Sequence, residues 1–106
     1  MPKYLVQASY TVEGIKGVMK SGGSARRAVV KEMLERLDGR LEAFYYAFGE
    51  NDAFVIFDAP DNASVAAVSM AVGASGAART KTTVLLTPEE IDQAAKKQVM
   101  YRPPGQ

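Results

Sequence analysis

The segment best suited to ligand chemistry is Gly22-Gly23-Ser24-Ala25-Arg26-Arg27. Two glycines, a hydroxyl and two guanidinium groups follow one another where a loop is expected to enter a helix. The free amides and the positive end of such a helix suit a phosphate or a carboxylate. The spacing matches no phosphate-binding fingerprint, and a loop followed by a Ser24 helix cap and a solvated basic face explains the segment more simply.

Asp52 is the second candidate, at the end of the turn Gly49-Glu50-Asn51-Asp52. Asp and Asn in such turns usually accept hydrogen bonds from the turn's own amides, which is the favoured interpretation. The alternative is a general acid or base at the mouth of a cavity. The third candidate is a set of tyrosines that either line a pocket with hydroxyls or pack at an interface with a wet edge. Its members are Tyr4, Tyr10, Tyr45 and Tyr46.

The residue types that are absent limit the chemistry further. The 106 residues include no histidine and no cysteine. This excludes Ser-His and Cys-His nucleophile pairs, a haem axial histidine, disulfides and an ordinary zinc site. Proton transfer would depend on Asp, Glu, Lys or Tyr with pKa values shifted by burial or a neighbouring charge. We therefore expect no metal and no cofactor.

These candidates combine into one site hypothesis, in which an anion or a phenol lies between the start of a helix and the turn at Asp52. The topology leaves open whether that turn reaches the same end of the sheet within one chain, so the site is expected to depend on a second copy. The predicted ligand-binding residues are Tyr10, Ser24, Arg26, Arg27, Asp52 and Lys81.

The elements that position these residues follow from hydrophobic spacing and turn chemistry. Apolar and β-branched runs predict four strands, Lys3–Tyr10, Arg40–Phe48, Ala53–Ala59 and Arg79–Leu86. Helical spacing predicts a short helix capped by Thr11, a longer one from Ser24 to a left-handed exit at Gly39, one over about Ala63–Val72 and one opened by the box Thr87-Pro88-Glu89-Glu90.

The stretch from Gly39 to Pro60 organises the architecture, because both faces of its hairpin are apolar. Strict alternation along the first strand puts Leu41 and Tyr45 on one face and Tyr46 and Phe48 on the other. Tyr46 and Phe48 are expected to join Phe54 and Ile56 in an apolar patch that no helix covers. A sheet that is wet on one side would alternate apolar with polar residues, so both faces are expected to be covered. The helix over 63–72 carries no charge and is likewise expected to be buried on more than one side.

The element order predicts an α+β, ferredoxin-like βαββαβ fold in one domain, 1–106, with an extra C-terminal helix. The sheet has four antiparallel strands with helices on one face. A second copy is the simplest cover for the other face, which gives a dimeric α+β barrel or a higher homo-oligomer.

Charge and length exclude several classes of partner. The 13 basic and 12 acidic residues are interspersed and give a net charge of +1, so no strong field steers nucleic acid or an anionic membrane. Phe54-Val55-Ile56-Phe57 is similar to the end of an RNA-recognition strand, but its basic lead is missing. We expect no nucleic-acid partner, no membrane association and a cytoplasmic location.

Nearly the whole chain resembles the small bacterial proteins of the GYD-domain family, which are named for a Gly-x-Tyr-Asp turn between the second and third strands. Asn51 stands in place of the signature tyrosine. The matching pieces are Lys3-Tyr4-Leu5-Val6, Gly14-Ile15-Lys16-Gly17, Gly49 with Asp52, Pro60-Asp61-Asn62, the run 82–90 and Tyr101-Arg102-Pro103-Pro104-Gly105. The resemblance implies the ferredoxin-like fold and carries over no catalytic residue.

Three functions fit these observations. The first is a homo-oligomeric module that binds or senses a small molecule, which needs only a pocket and a few polar groups. The second is a cofactor-free enzyme, similar to a monooxygenase or an isomerase, that acts on a small planar or phenolic substrate, on fold analogy alone. The third is a structural interaction module. An endogenous ligand would separate the first two from the third, and turnover of that ligand would separate the first from the second.

Overall fold

Strands and helices follow one another along the chain in the predicted order. The computed structural model describes residues 1–106. The elements are β1 (Lys3–Tyr10), α1 (Val12–Ser21), α2 (Gly23–Arg36), β2 (Arg40–Tyr46), β3 (Ala53–Asp58), α3 (Asn62–Ser75), β4 (Ala78–Leu85) and α4 (Pro88–Ala95). The strands form one antiparallel sheet in the order β2-β3-β1-β4. The predicted α+β, ferredoxin-like arrangement is confirmed.

The helix-covered face of the sheet contains the main core, at the end of the sheet where β1 begins. Tyr4 lies opposite Phe57, and their rings stack with centroids 5.6 Å apart. Leu34 of α2 and Val65 of α3 close over this pair, so both helices pack on the same face. The Tyr4 hydroxyl donates to Asn62 Oδ1 at 2.6 Å, which satisfies the one polar atom of this aromatic pair.

A β-bulge in β2 overturns the strict alternation expected there. The register against β3 shifts between Leu41 and Ala43, so Leu41 joins Phe44 and Tyr46 on the helix-covered face. An extra residue in one strand reverses the sides of all residues beyond it. β2 also ends at Tyr46, and Phe48 beyond it is 99% exposed. The expectation that Tyr46 and Phe48 belong to the open apolar face is therefore wrong.

The open face of the sheet, with no helix over it, has an apolar centre and a charged end. The register puts Leu5, Phe54, Ile56 and Tyr45 in the centre, and Tyr45 is 71% exposed. At one end, the Asp58 carboxylate lies 3.0 Å from Lys3 Nζ and 3.6 Å from a guanidinium nitrogen of Arg40, and Lys3 also pairs with Glu42. Lys81 and Arg79 of β4, which pair with Gln7 and Ser9, put further charge on the same face.

Two helix ends differ from the sequence prediction. The N-cap of α2 is Gly22, with φ 86° and no side-chain cap, and Ser24 lies inside the first turn. At the other end of α2, Asp38 takes the positive φ of 61°, a conformation that Asp tolerates better than most residues. Gly39 is needed for a different reason, because a Cβ there would lie 2.6 Å from the carbonyl oxygen of Asp58.

The C-terminal arm, residues 86–106, extends from the end of β4 without packing on the rest of the chain. Its helix α4 has the predicted capping box, with Thr87 and Glu90 each bonding the other's backbone amide. No residue of α4 is buried. The radius of gyration is 16.9 Å, whereas about 13 Å is typical of a compact chain this long.

α3 also differs from its expected environment in the single chain. Only its residue Val65 is buried, the side turned away from the sheet carries no charge, and Met70, on the flank toward β4, is 73% exposed. Coverage of that second side stays a prediction. None of the four helices is long and apolar enough to cross a bilayer.

Candidate functional site

The end of the sheet where β1 finishes brings the hairpin turn to the first strand within one chain. Because β3 runs antiparallel to β1, its first residue, Ala53, lies opposite Ala8. Asp52 Oδ2 accepts from the amide of Tyr10 at 2.8 Å, and the Asp52 amide donates to the Ala8 carbonyl at 2.8 Å. The expected dependence of this contact on a second copy is therefore wrong. Asp52 ties the turn to the neighbouring strand rather than to the turn's own amides.

Small residues at this end of the sheet leave a cavity beneath α2 and α3. Ala8, Ala53 and Ala78 are buried on the helix-covered face, where the other end of the sheet carries Tyr4 and Phe57. They help line an apolar cavity of about 70 Å³ between the sheet and the two helices. Fourteen of its 18 lining residues are hydrophobic, so its interior favours an apolar group over water.

Tyr10 and Arg26 form the polar edge of this cavity. Both side chains line it, and both also line a second, more open hollow of about 300 Å³ between α1 and α2. The walls of that hollow include Gly14 and Gly17 on α1 and Ala25 on α2. Its residues are half polar, whereas the cavity is mostly apolar. Tyr10 and Arg26 therefore stand between an apolar space and a polar one.

Tyr46 extends the polar edge along the same end of the sheet. Its hydroxyl donates to the Gly23 carbonyl at 3.2 Å, and its ring packs so closely on Gly23 that a Cβ there would lie 2.8 Å from Tyr46 Cε2. Burial raises the pKa of the Tyr46 phenol, and the neighbouring Tyr10 phenol raises it further, while Arg26 and Arg27 lower it. Tyr46 is thus a neutral hydrogen-bonding group near neutral pH.

The two arginines differ in burial although they are adjacent in sequence. Arg26 is half-buried against the cavity, whereas Arg27 is exposed beside Tyr46 in a separate hollow that also includes Ser24. Neither forms an ion pair with Asp or Glu. A partly desolvated guanidinium without a carboxylate partner attracts an anion more strongly than an exposed one does.

The structure separates the six sequence-predicted residues into three groups. Tyr10 and Arg26 share the cavity edge, and Asp52 supports Tyr10 through its amide. Ser24 and Arg27 lie one hollow away, with Tyr46 between. Lys81 is not nearby, since it pairs with Gln7 and therefore projects from the open face, opposite to Tyr10.

Two features of the site were missing from the sequence hypothesis. Tyr46 belonged to the tyrosine set but not to the site, because the bulge that turns it toward the helices leaves no clear sequence signal. The cavity floor formed by three alanines could have been predicted from the sequence. Ala8, Ala53 and Ala78 are small residues at helix-facing positions of strands whose other residues there are larger. No group of three or more acidic side chains is arranged to hold a metal ion.

Comparison with known proteins gives one family match. The model of a family described as GYD domain matches residues 4–95 of the chain. Neither the curated proteins nor the solved structures give a match. The match spans all four strands and α1 to α4, and leaves out only the two ends.

Proposed function

The chain belongs to the GYD domain family, and for this member we propose a homo-oligomeric module that binds a small amphipathic anion. The observation that carries the proposal is the shared position of Tyr10 and Arg26, between an apolar cavity and a polar hollow. The apolar end of the ligand occupies the cavity, and its carboxylate or phenolate lies against Arg26.

The size of the cavity limits the apolar end of the ligand. A dry apolar cavity of ~150 Å³ accepts a benzene molecule, and the cavity here is about 70 Å³. A short branched alkyl group suits this space better than an aromatic ring. Larger parts of a ligand have room only in the open hollow of about 300 Å³ between α1 and α2.

Charge at the site favours an anion over a neutral ligand. Arg26 and Arg27 lack carboxylate partners, and the nearby Asp52 carboxylate already accepts the Tyr10 amide. Glu13, the one carboxylate that lines the hollow, is exposed and lies 4.0 Å from the Lys16 ammonium group. A hydrogen bond to a charged group contributes about 1.5–3 kcal/mol, and about 1.4 kcal/mol changes an affinity tenfold.

A matched pair of probes tests both the need for a negative charge on the ligand and the position of the binding site. The probes are 3-methylbutanoate and its uncharged amide, 3-methylbutanamide, titrated into the ¹⁵N-labelled full chain and followed by NMR shifts. We expect the acid to bind at least tenfold more tightly than the amide and to shift the amides around Tyr10, Ala25 and Arg26. Equal affinity of the two probes, or shifts confined to the open face, would contradict the proposal.

Adjacent arginines supply the matched variants. Arg26→Gln should weaken binding of the acid about tenfold, because it removes a half-buried cation from the cavity edge. Arg27→Gln should change it less than about threefold, because an exposed charge is screened by solvent. Native mass spectrometry of the protein as purified gives the independent search for an endogenous ligand, and turnover of that ligand would indicate an enzyme.

Self-association is the second part of the proposal, with another copy of the chain over the open face. The support is the small core of the single chain, in which ten of 106 residues are buried, and the centre of that face, where Tyr45 is exposed and Leu5, Phe54 and Ile56 are only partly buried. Monomers rarely expose an apolar patch above a few hundred Å². Light scattering at micromolar concentration should show an oligomer whose mass Phe54→Glu reduces. A stable, soluble monomer of the unaltered chain would refute self-association and not the ligand site.

A further inference from the structure

The C-terminal arm and an empty groove on the same chain are both exposed apolar surfaces, and each could cover the other. The groove is about 340 Å³ in volume and lies between α3 and the outer strand β4. It contains no charged residue, and five of its eight lining residues are hydrophobic. The lining residues are Tyr4, Asn62, Val65, Ala66, Ser69, Met70, Thr82 and Val84.

The arm exposes apolar side chains that have no use in water. Ile91 lies on α4, and Val99, Met100 and Tyr101 follow it, all of them largely exposed. An isolated helix of eight residues is unstable in water, because helices shorter than about 12 residues are marginal even in favourable sequences. α4 nevertheless has a complete capping box and a proline in its first turn. These signals favour a helix at this position, yet α4 has no packing partner within its own chain. We infer that its partner surface belongs to another molecule.

From these two observations we propose that the arm of one copy docks in the α3–β4 groove of a second copy. The exchange is reciprocal, with each copy giving an arm and receiving one. Its contacts are apolar: Ile91 and Met100 of the arm against the exposed side chains of Met70 and Val84 in the groove. The inference goes beyond ligand binding and uses a surface other than the open face.

The connection to β4 directs the arm away from its own groove. Only Leu86 separates the last residue of the strand, Leu85, from the helix cap Thr87. The capping box and the fixed φ of Pro88 hold the first turn in place. Because this link is short and constrained, α4 cannot turn back along β4 toward the groove of its own chain. The longest dimension of the chain, 57 Å against 33 and 23 Å, agrees with an arm that points outward.

The arms supply most of the buried area. Four large side chains bury on the order of 100 Å² each, so two reciprocal arms bury roughly 800 Å². With the smaller area of the two grooves added, the total approaches the ~1,000 Å² expected of a specific interface. The 14 residues of 88–101 and the eight that line the groove also fall near the 20 to 30 residues per side of such interfaces.

Disulfide cross-linking tests the exchange directly, since the chain has no cysteine of its own. Two full-length variants are mixed at about 50 μM and oxidised, one carrying Ile91→Cys with an affinity tag and one carrying Met70→Cys without it. We expect a covalent dimer that contains one tagged and one untagged chain. With Met19→Cys, an equally exposed position on α1, in place of Met70→Cys, this mixed dimer should be at least tenfold less abundant.

The double variant distinguishes exchange from folding back. A chain with both Ile91→Cys and Met70→Cys should form covalent dimers under the same conditions. A covalently closed monomer would show that the arm docks on its own chain, and would overturn the proposal. Absence of any cross-link between the two positions would overturn it as well.

A second measurement does not depend on disulfide geometry. Met70→Glu and Met100→Glu should each raise the dimer dissociation constant more than tenfold, whereas Met19→Glu should leave it within twofold. All three side chains are exposed in the single chain, so none of the variants disturbs the core. Unchanged dissociation constants in both test variants would refute the exchange. The test variants and the control are measured in chains that also carry Phe54→Glu, which removes the open-face contact, so the two proposals fail separately.

Discussion

Filling the cavity beneath α2 and α3 should stabilise the protein and at the same time prevent ligand binding. Ala8 is the best position, because it lies on the inner strand β1 and is buried in the cavity floor between Ala53 and Thr80. Ala8→Val adds two methyl groups, worth about 0.8 kcal/mol each when buried. Fixing the new side chain costs about 0.5 kcal/mol, so the free energy of unfolding should rise by about 1 kcal/mol.

The assay is urea denaturation of both chains at one protein concentration, with thermal melting as a second measure. For a chain of this length, about 1 kcal/mol corresponds to a rise of roughly 4–8 °C in Tm. The affinity for 3-methylbutanoate should fall more than tenfold, because the valine methyl groups occupy the space meant for its alkyl end. β-branched residues also favour the strand conformation, so valine at this position costs no backbone strain.

Ala59→Val is the control, since Ala59 is buried in the close-packed core near Tyr4 and Phe57 and does not line the cavity. There the same two methyl groups overfill the site, and a loss of about 1–3 kcal/mol is expected. A similar loss in Ala8→Val would mean that no usable space exists beneath the helices. Stabilisation without any effect on binding would move the ligand site elsewhere.

Three further predictions concern single residues. Gly14→Ala should cost more than about 2 kcal/mol in urea denaturation, because its Cβ would lie 1.9 Å from the Ala77 carbonyl oxygen, while Gly17→Ala, with open space around it, should gain up to about 1 kcal/mol. Hydrogen bonds from Ser64 lower the pKa of Asp61 at the start of α3, so the Asp61 carboxylate stabilises the fold fully above its unfolded-state pKa and loses this effect as the pH falls through its folded-state pKa. Asp61→Asn should therefore flatten the fall of Tm with decreasing pH. An unchanged fall would show that the Asp61 cap does not contribute to the acid dependence of stability. Thr87→Ala should reduce the helical chemical shifts of 88–95, in keeping with a cap worth about 1 kcal/mol, and in dilute monomeric protein it should leave the global Tm within 1 °C, because α4 is not packed on the domain.

Element type and order were predictable because they depend on local patterns. The alternation along β1, the stripe of α2 and the box at Thr87 each specify one structure, and all three occur as predicted. The prediction of which face each β2 side chain occupies was wrong because of a single backbone irregularity. The bulge after Leu41 has no glycine or proline to mark it, and it moves Tyr46 from the open face to the site.

The candidate site was partly predictable for a related reason. Tyr10 and Arg26 belong to elements that succeed each other in sequence, so their proximity follows from chain order. Lys81 was expected near Tyr10, but the side of the sheet on which a residue lies depends on register, and its pairing with Gln7 puts it on the opposite face. Asp52 was correctly placed in a turn, yet its partner, the Tyr10 amide, depended on which strand β3 joins.

The strand order also determines when the fold can form. β1 is an inner strand, and its pairing with β4 joins residues from 68 positions apart, Tyr10 and Ala78, to 82 positions apart, Lys3 and Leu85. Synthesis at about 5–20 residues per second leaves one edge of β1 without its neighbour for roughly 4 to 15 seconds. The hairpin of β2 and β3 needs only ~1–10 μs. On the ribosome, the sheet therefore waits for its last strand, and during that interval the exposed edge of β1 is the surface most in need of a chaperone.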